Sequence, residues 1–118
     1  MEELSNNPLN PVVFKTPDGY VYYAYRDIIV CSADGNNALI FDISSNTPVK
    51  ILHTLSYIEE RYCNDRFIRC HRSHIINLVY LKKLIKRSHQ ALMWKGFRVP
   101  LSVDWWEKLC KISENEIQ

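Results

Sequence analysis

Between Arg66 and Val103 the chain has no aspartate and no glutamate, although it carries thirteen acids elsewhere. Nine bases stand there with no acid among them: Arg66, Arg69, Arg72, Lys82, Lys83, Lys86, Arg87, Lys95 and Arg98. The net charge of +2 is thus a +9 segment set against a −7 remainder. A polyanion responds to the local field rather than to that sum. The same absence leaves His71 and His74 without a carboxylate in the segment to orient them. There is also no glycine-rich phosphate loop and no H-E-x-x-H, and the chain has only three glycines. Cys70-His71 and Ser73-His74 are adjacent, but successive strand residues point to opposite faces, so adjacency makes no dyad. The reading is of a protein that is not an enzyme and takes no cofactor.

Other absences bound the class. No stretch approaches the roughly 18–20 apolar residues of a membrane span. Met1–Asn10 is acidic and Asn-rich with no apolar signal core, so the expectation is a cytoplasmic chain. No C-x-x-C occurs among Cys31, Cys63, Cys70 and Cys110. In a reducing compartment such cysteines serve as small buried hydrophobes. A zinc site would draw on Cys63, Cys70, His71 and His74, whose spacing matches no common ligand pair.

What is present is enough apolar material, 47% of 118 residues, for one domain. Residues 1–11 read as a flexible tail or linker, 12–113 as the domain, and 114–118 as a C-terminal tail. Val12–Thr16 and Tyr20–Tyr25 read as strands about a Pro17-Asp18-Gly19 turn. Ile28–Ser32 and Ala38–Asp42 read as a hairpin around Asp34-Gly35-Asn36-Asn37. Val49–Leu52 is a further short apolar run. Thr54 caps a short amphipathic helix, Leu55–Tyr62. Phe67–Cys70 is a strand, His71-Arg72-Ser73 a tip, and Ile75–Ile85 strand-like with interruptions at Asn77 and Lys82-Lys83. Asn77, inside an apolar run, is expected to bond backbone across the strand pair. Ala91–Trp94 and Phe97–Leu101 form a hairpin through Lys95-Gly96. Ser102 caps a last helix whose stripe is Val103, Trp106, Leu109 and Cys110. The tyrosines from Tyr20 to Tyr25 and the Trp105-Trp106 pair read as core and sheet-face residues rather than a base-stacking platform. The count is seven to ten short strands and two short helices, a mainly-β domain. No helix is both long and basic enough to serve as a recognition helix, so nucleic acid would be met by loops and strand ends.

Arg69, Arg72, Ser73, Lys82, Lys83, Arg98 and Ser102 are of the types that hold phosphates or base edges. Lys86, Arg87 and Lys95 read equally as residues solvating an outer face. His71 reads as a satisfied core or hinge histidine.

Phe67-Ile68-Arg69-Cys70-His71-Arg72-Ser73-His74-Ile75-Ile76-Asn77 resembles the F-x-R-x-H-R-S-x-x-V-N signature of the LytTR DNA-binding domain family. Asp27–Asn36, Thr54-Leu55, Glu59-Glu60 and Arg98-Val99-Pro100-Leu101-Ser102 resemble flanking parts of that family, and about residues 12–112 are covered. The resemblance implies an elongated, multi-sheet antiparallel β domain of about ten short strands with small helices. It implies sequence-specific binding of double-stranded DNA by loops, as the output domain of a bacterial transcription regulator. Partners so implied are paired promoter repeats bound as a homodimer, and a receiver domain or sensor kinase upstream. By position, Arg72 matches a base-contacting site, Arg69 and Ser102 match phosphate-contacting sites, and the Asn36-Asn37 hairpin matches the first reading loop. Two departures imply an altered target or a lower affinity: Ala38 in place of an aromatic or His, and Val103-Asp104 where an Arg is common. The rival readings are a LytTR-like protein-interaction or sensory module with weak or lost DNA binding, and a binder of single strands or RNA.

Overall fold

The structure is a computed structural model that describes residues 11–117; the expected leading tail lies outside the described residues except for Pro11. Strands β1 (Val12–Thr16) and β2 (Gly19–Tyr23) form a hairpin. Its turn is closed by Gly19, whose φ of 146° suits glycine. Five strands follow in a central antiparallel sheet: β3 (Ile28–Asp34), β4 (Asn37–Asp42), β5 (Val49–Ile51), β6 (Phe67–His71) and β7 (His74–Asn77), in the order β5-β4-β3-β7-β6. Helix α1 (Leu55–Tyr62) connects β5 to β6. A third sheet has the order β10-β9-β8, from β8 (Leu81–Ile85), β9 (Gln90–Met93) and β10 (Arg98–Pro100). Helix α2 (Val103–Glu116) closes the chain and carries helical structure into the stretch expected as a C-terminal tail. Among the described residues, ten strands in three antiparallel sheets with two α-helices make the mainly-β architecture expected, with principal extents of 45 × 30 × 24 Å.

The central sheet is buried on both faces. Val12, Phe14 and Tyr23 of the first hairpin, with Leu55, Ile58 and Tyr62 of α1, pack on Ile28, Cys31, Ile40, Phe67 and Ile75. On the other face Ile29, Val30, Ile68, Cys70 and Ile76 meet Ala91 and Met93 of β9, Val99 of β10 and Leu109 of α2. This accounts for the unbroken apolar run Ile28–Cys31, since a strand covered on both sides cannot alternate with polar residues. Strict alternation would put Ile28 and Val30 on one face. A register shift between them against β4 breaks the alternation, so Ile29 and Val30 both face the second core.

The run Ile75–Ile85, expected as strand-like with interruptions at Asn77 and Lys82-Lys83, is divided after Asn77 into β7 and β8. Asn77 is buried; its Nδ2 donates to the carbonyls of Tyr25 and Ile28, both at 2.9 Å, and its Oδ1 accepts from Val79 N at 3.1 Å. That last bond caps a single 3-10 turn over Leu78–Tyr80, which ends β7 and turns the chain into β8. In α2 the buried stripe is Leu109 with half-buried Trp105 and Trp106, whereas Val103 is 66% exposed. On β2, Tyr20 and Tyr22 point outward and only Tyr23 enters the core. Alternation placed one side of this edge strand in the core, and it is the side of Tyr23.

Candidate nucleic-acid interface

Register sets which residues share an end of the molecule. In β3, Asp34 pairs with Asn37 of β4, and Ser32 pairs with His74 of β7. The Gly35-Asn36 turn and the Arg72-Ser73 turn are therefore neighbours at one end of the central sheet. The first projects about 7 Å beyond the second, two residues at strand rise. Ala33 N donates to Ser73 O at 2.9 Å and locks the two turns together. Gly35 takes φ 61°, which the tight connection requires and a side chain would oppose.

The third sheet presents its own end beside them. Ser102 N donates to Cys70 O at 2.8 Å, and Leu101 N donates to His89 O at 3.1 Å. The α2 N-terminus and the β8–β9 turn thus sit beside the signature turn. At the other end of the molecule, Lys95 Nζ donates to the carbonyls of Asp42 and Ser45 at 3.1 and 3.0 Å, joining the third sheet to the far end of β4.

Arg72 is exposed at the apex of its turn, and no side-chain partner for it occurs among the described residues. Its carbonyl accepts from Arg69 Nη2 at 2.6 Å. Arg69 is engaged further, through Nη1, with Glu59 at 2.9 Å and Ser56 at 3.2 Å, both on α1. Its Nε is buried without a partner. The Arg69 charge is thereby largely neutralised, and the side chain braces the turn from below. His71 Nδ1 accepts from Ser73 N at 3.1 Å, so the ring is satisfied within its own turn. His74, 5.4 Å from His71 ring to ring, pairs its Nδ1 with Ser32 Oγ at 2.9 Å. Burial, with His71 adding to it, holds its pKa below the ordinary imidazole value.

Asn36 is exposed and Asn37 half-buried at the hairpin tip. Ala38 is fully buried in the first core, so a larger residue there would meet Ile51 and its neighbours, not a ligand beyond the tip. Ser102 caps α2, its Oγ accepting from Trp105 N at 3.2 Å, and Asp104 lies in the first turn where the helix dipole favours an acid. Glu59, Arg69, His71, Arg72 and Ser102 line one shallow cleft.

The other named bases do not gather there. Lys83 and Arg98 are both level with Leu92 of β9, toward the opposite end of the third sheet, and Lys82 sits at a register shift beyond them. Arg66 lies at the far end of β6, where its carbonyl accepts from Leu78 N at 2.7 Å. Lys86 and Arg87 stand in the exposed β8–β9 turn at the same end as Ser102, although the sequence marks them no differently from solvated lysines. The pairing of β8, β9 and β10, the hydrogen bond of Leu101 to His89 and the stack of His89 on Trp106 bring them there.

The cysteines are dispersed. Cys31 and Cys70 lie in separate cores on opposite faces of the central sheet, and Cys63 packs against the first. The set Cys63, Cys70, His71 and His74 is therefore divided by the sheet, and no metal-binding group of three or more His, Cys, Asp or Glu occurs among the described residues. Burial pushes the Cys63 and Cys70 thiols up to about 12 and Cys31 higher still, which keeps them protonated and unreactive. No helix among the described residues is long and apolar enough to cross a membrane.

Comparison with known proteins gives a consistent result. Residues 18–113 match the family profile described as the LytTr DNA-binding domain. A solved structure, the LytTr DNA-binding domain of a putative methyl-accepting/DNA response regulator from Bacillus cereus, superposes with a TM-score of 0.69 at 26% identity. It covers 86% of this chain and 94% of its own. No curated protein matches the chain.

Proposed function

Because the chain belongs to the LytTr DNA-binding domain family, we propose that it binds double-stranded DNA in a sequence-dependent way with the end that carries Arg72. The observation that supports this most directly is the convergence of the Gly35-Asn36 turn, the Arg72-Ser73 turn and the Ser102 cap, with the Arg72 guanidinium held out and unpartnered at their centre. In this reading Arg72 reads a base edge, most simply guanine O6 and N7. Asn36 and Asn37 contact the groove ahead of it, and Ser73, Ser102 and the first N–H groups of α2 hold phosphate oxygens. Arg69 acts through the turn it braces. Lys82, Lys83 and Arg98 lie outside this short footprint and would add only at long range. The wider setting is the output domain of a bacterial, cytoplasmic transcription regulator, two copies on paired promoter repeats under a receiver domain or sensor kinase. Its support is the response-regulator origin of the Bacillus cereus structure.

Selection of bound sites from a random pool of duplexes tests the reading. A recurring motif is the expected outcome, and recovery of unrelated sequences removes the sequence-dependent part. One observation favours a second reading, a protein-interaction module with lost DNA binding: Glu59 and Asp104 place acids at the same end as Arg72. Titration with random duplex separates the two. Binding at low salt that weakens steeply as salt rises supports the DNA reading, and no binding at low salt supports the module.

A further inference from the structure

The β8–β9 turn is built unlike a free loop. Its last residue, His89, adopts φ 53° and stacks on Trp106 of α2 at 4.5 Å with an interplanar angle of 11°. The His89 carbonyl accepts from Leu101 N, and Ser88 Oγ donates to Gln90 Oε1 at 3.0 Å. A non-glycine residue at positive φ is held only where its surroundings compensate for the strain. The stack and the backbone bond do so here. The two remaining side chains of the turn, Lys86 and Arg87, are exposed and have no partner among the described residues. The turn is therefore a fixed platform presenting two cations with nothing of its own to neutralise them.

Its position gives it a role. It belongs to the third sheet, whereas Arg72 and Asn36 belong to the central one, and packed sheets lie about 10 Å apart. A DNA major groove is about 12 Å wide. A side chain about 10 Å to one side of a residue reading the groove floor therefore stands over the sugar–phosphate strand at the groove's edge. The need for such an anchor is also local: Arg69 is ion-paired to Glu59, and Asp104 follows the Ser102 cap. Each weakens the phosphate grip of the turn beside it.

We propose that Lys86 and Arg87 form a separate phosphate clamp, which grips the DNA backbone on the α2 side of the base-reading turn. This rests on the DNA-binding reading above. The clamp adds affinity and salt dependence but no base preference, because phosphates carry no sequence.

Duplex binding is measured against salt for the unaltered protein, for Lys86→Gln/Arg87→Gln, and for Lys82→Gln/Lys83→Gln, which removes the same charge toward the opposite end of the third sheet. Two phosphate contacts are worth a slope of about 1.8 in log affinity against log salt, so over a fourfold rise in salt the unaltered protein should lose about tenfold more affinity than the clamp variant. The Lys82/Lys83 variant should keep the original slope, and all three should prefer the same duplex. Backbone footprinting should show protection lost on one flank only in the clamp variant. Equal losses in the two double variants would mean a diffuse field rather than a clamp and would overturn the proposal. So would an unchanged slope in Lys86→Gln/Arg87→Gln, which leaves the DNA-binding reading standing. Failure of the unaltered protein to bind any duplex at low salt removes both.

Discussion

At the scale of single residues, two arginines three positions apart in one strand and turn have opposite fates. Arg69 points toward α1 and spends its donors on Glu59, Ser56 and the carbonyl of Arg72. Arg72 has left the strand, and its exposed side chain has no hydrogen-bond or ion-pair partner among the described residues. An Arg72→Ala variant should therefore fold as before and lose base preference. Its best duplex should bind about 10- to 100-fold more weakly, the worth of one bidentate base contact, while random duplex suffers far less. Competition of the preferred against a scrambled duplex measures the difference. The histidines make a second prediction. Burial holds His74 and His53 below the ordinary value, with His71 adding at His74, and Lys15 and Arg61 adding at His53. His53 Nε2 also accepts from Lys15 N at 2.9 Å, a bond that protonation removes. Well above pH 6.5, from about pH 7.5 upward, both are neutral whether the chain is folded or not, and neither makes stability depend on pH. Below it the unfolded chain takes up protons that the folded one refuses, so stability falls until the lower folded pKa values are passed. Melting followed from about pH 7.5 to 5.5 should show that decline, and His53→Gln/His74→Gln should flatten it. An identical decline in the variant would assign it to other groups.

At the scale of elements, the most consequential junction is Asn77. One amide ends β7, caps the 3-10 turn and satisfies the carbonyls of Ile28 at the start of β3 and of Tyr25 just before it. Apolar pattern alone reads Ile75–Ile85 as one strand with blemishes, because the pattern does not register where backbone donors go. Asn77→Ala would leave buried acceptors without donors and should cost about 2–4 kcal/mol, seen as a lowered denaturation midpoint. Asn77→Asp should do no better, since a carboxylate offers no donor to those carbonyls. The helices were readable at their starts. Thr54 and Ser102 each accept from the N–H three residues on, Tyr57 and Trp105, as capping residues before an amphipathic stretch should. The buried stripe of α2 was less readable: at about 100° per residue Trp105 and Trp106 flank Leu109 within about 60° on either side, whereas Val103 lies about 120° away from it. Val103 therefore stays in solvent.

At the scale of the whole molecule, the turns of the candidate interface come together because two sheets are stacked in one orientation. Lys95 helps to hold them so, its ammonium bonded to two carbonyls beyond the far end of the central sheet, while Phe97 packs on Phe41 at 5.1 Å nearby. Lys95→Met keeps much of the chain's bulk and loses those bonds. It should lower stability by about 1 kcal/mol, discounted for its exposure, or several degrees in Tm. An unchanged melting temperature would show that the apolar core alone orients the sheets.

Local composition determined the mainly-β class, the hairpin turns, both helix caps and the signature tip, because each depends on residues within a few positions of one another. Which cations share a face did not follow from sequence. Nine bases follow one another in the sequence without an acid among them, yet the fold spends Arg69 and Lys95 on internal bonds, carries Arg66 to the opposite end, and brings Lys86 and Arg87, which the sequence reads equally as solvated, to the end that carries Arg72. That sorting depends on strand direction and sheet stacking, contacts between residues far apart in the chain. Charge and hydropathy along a sequence carry no record of them.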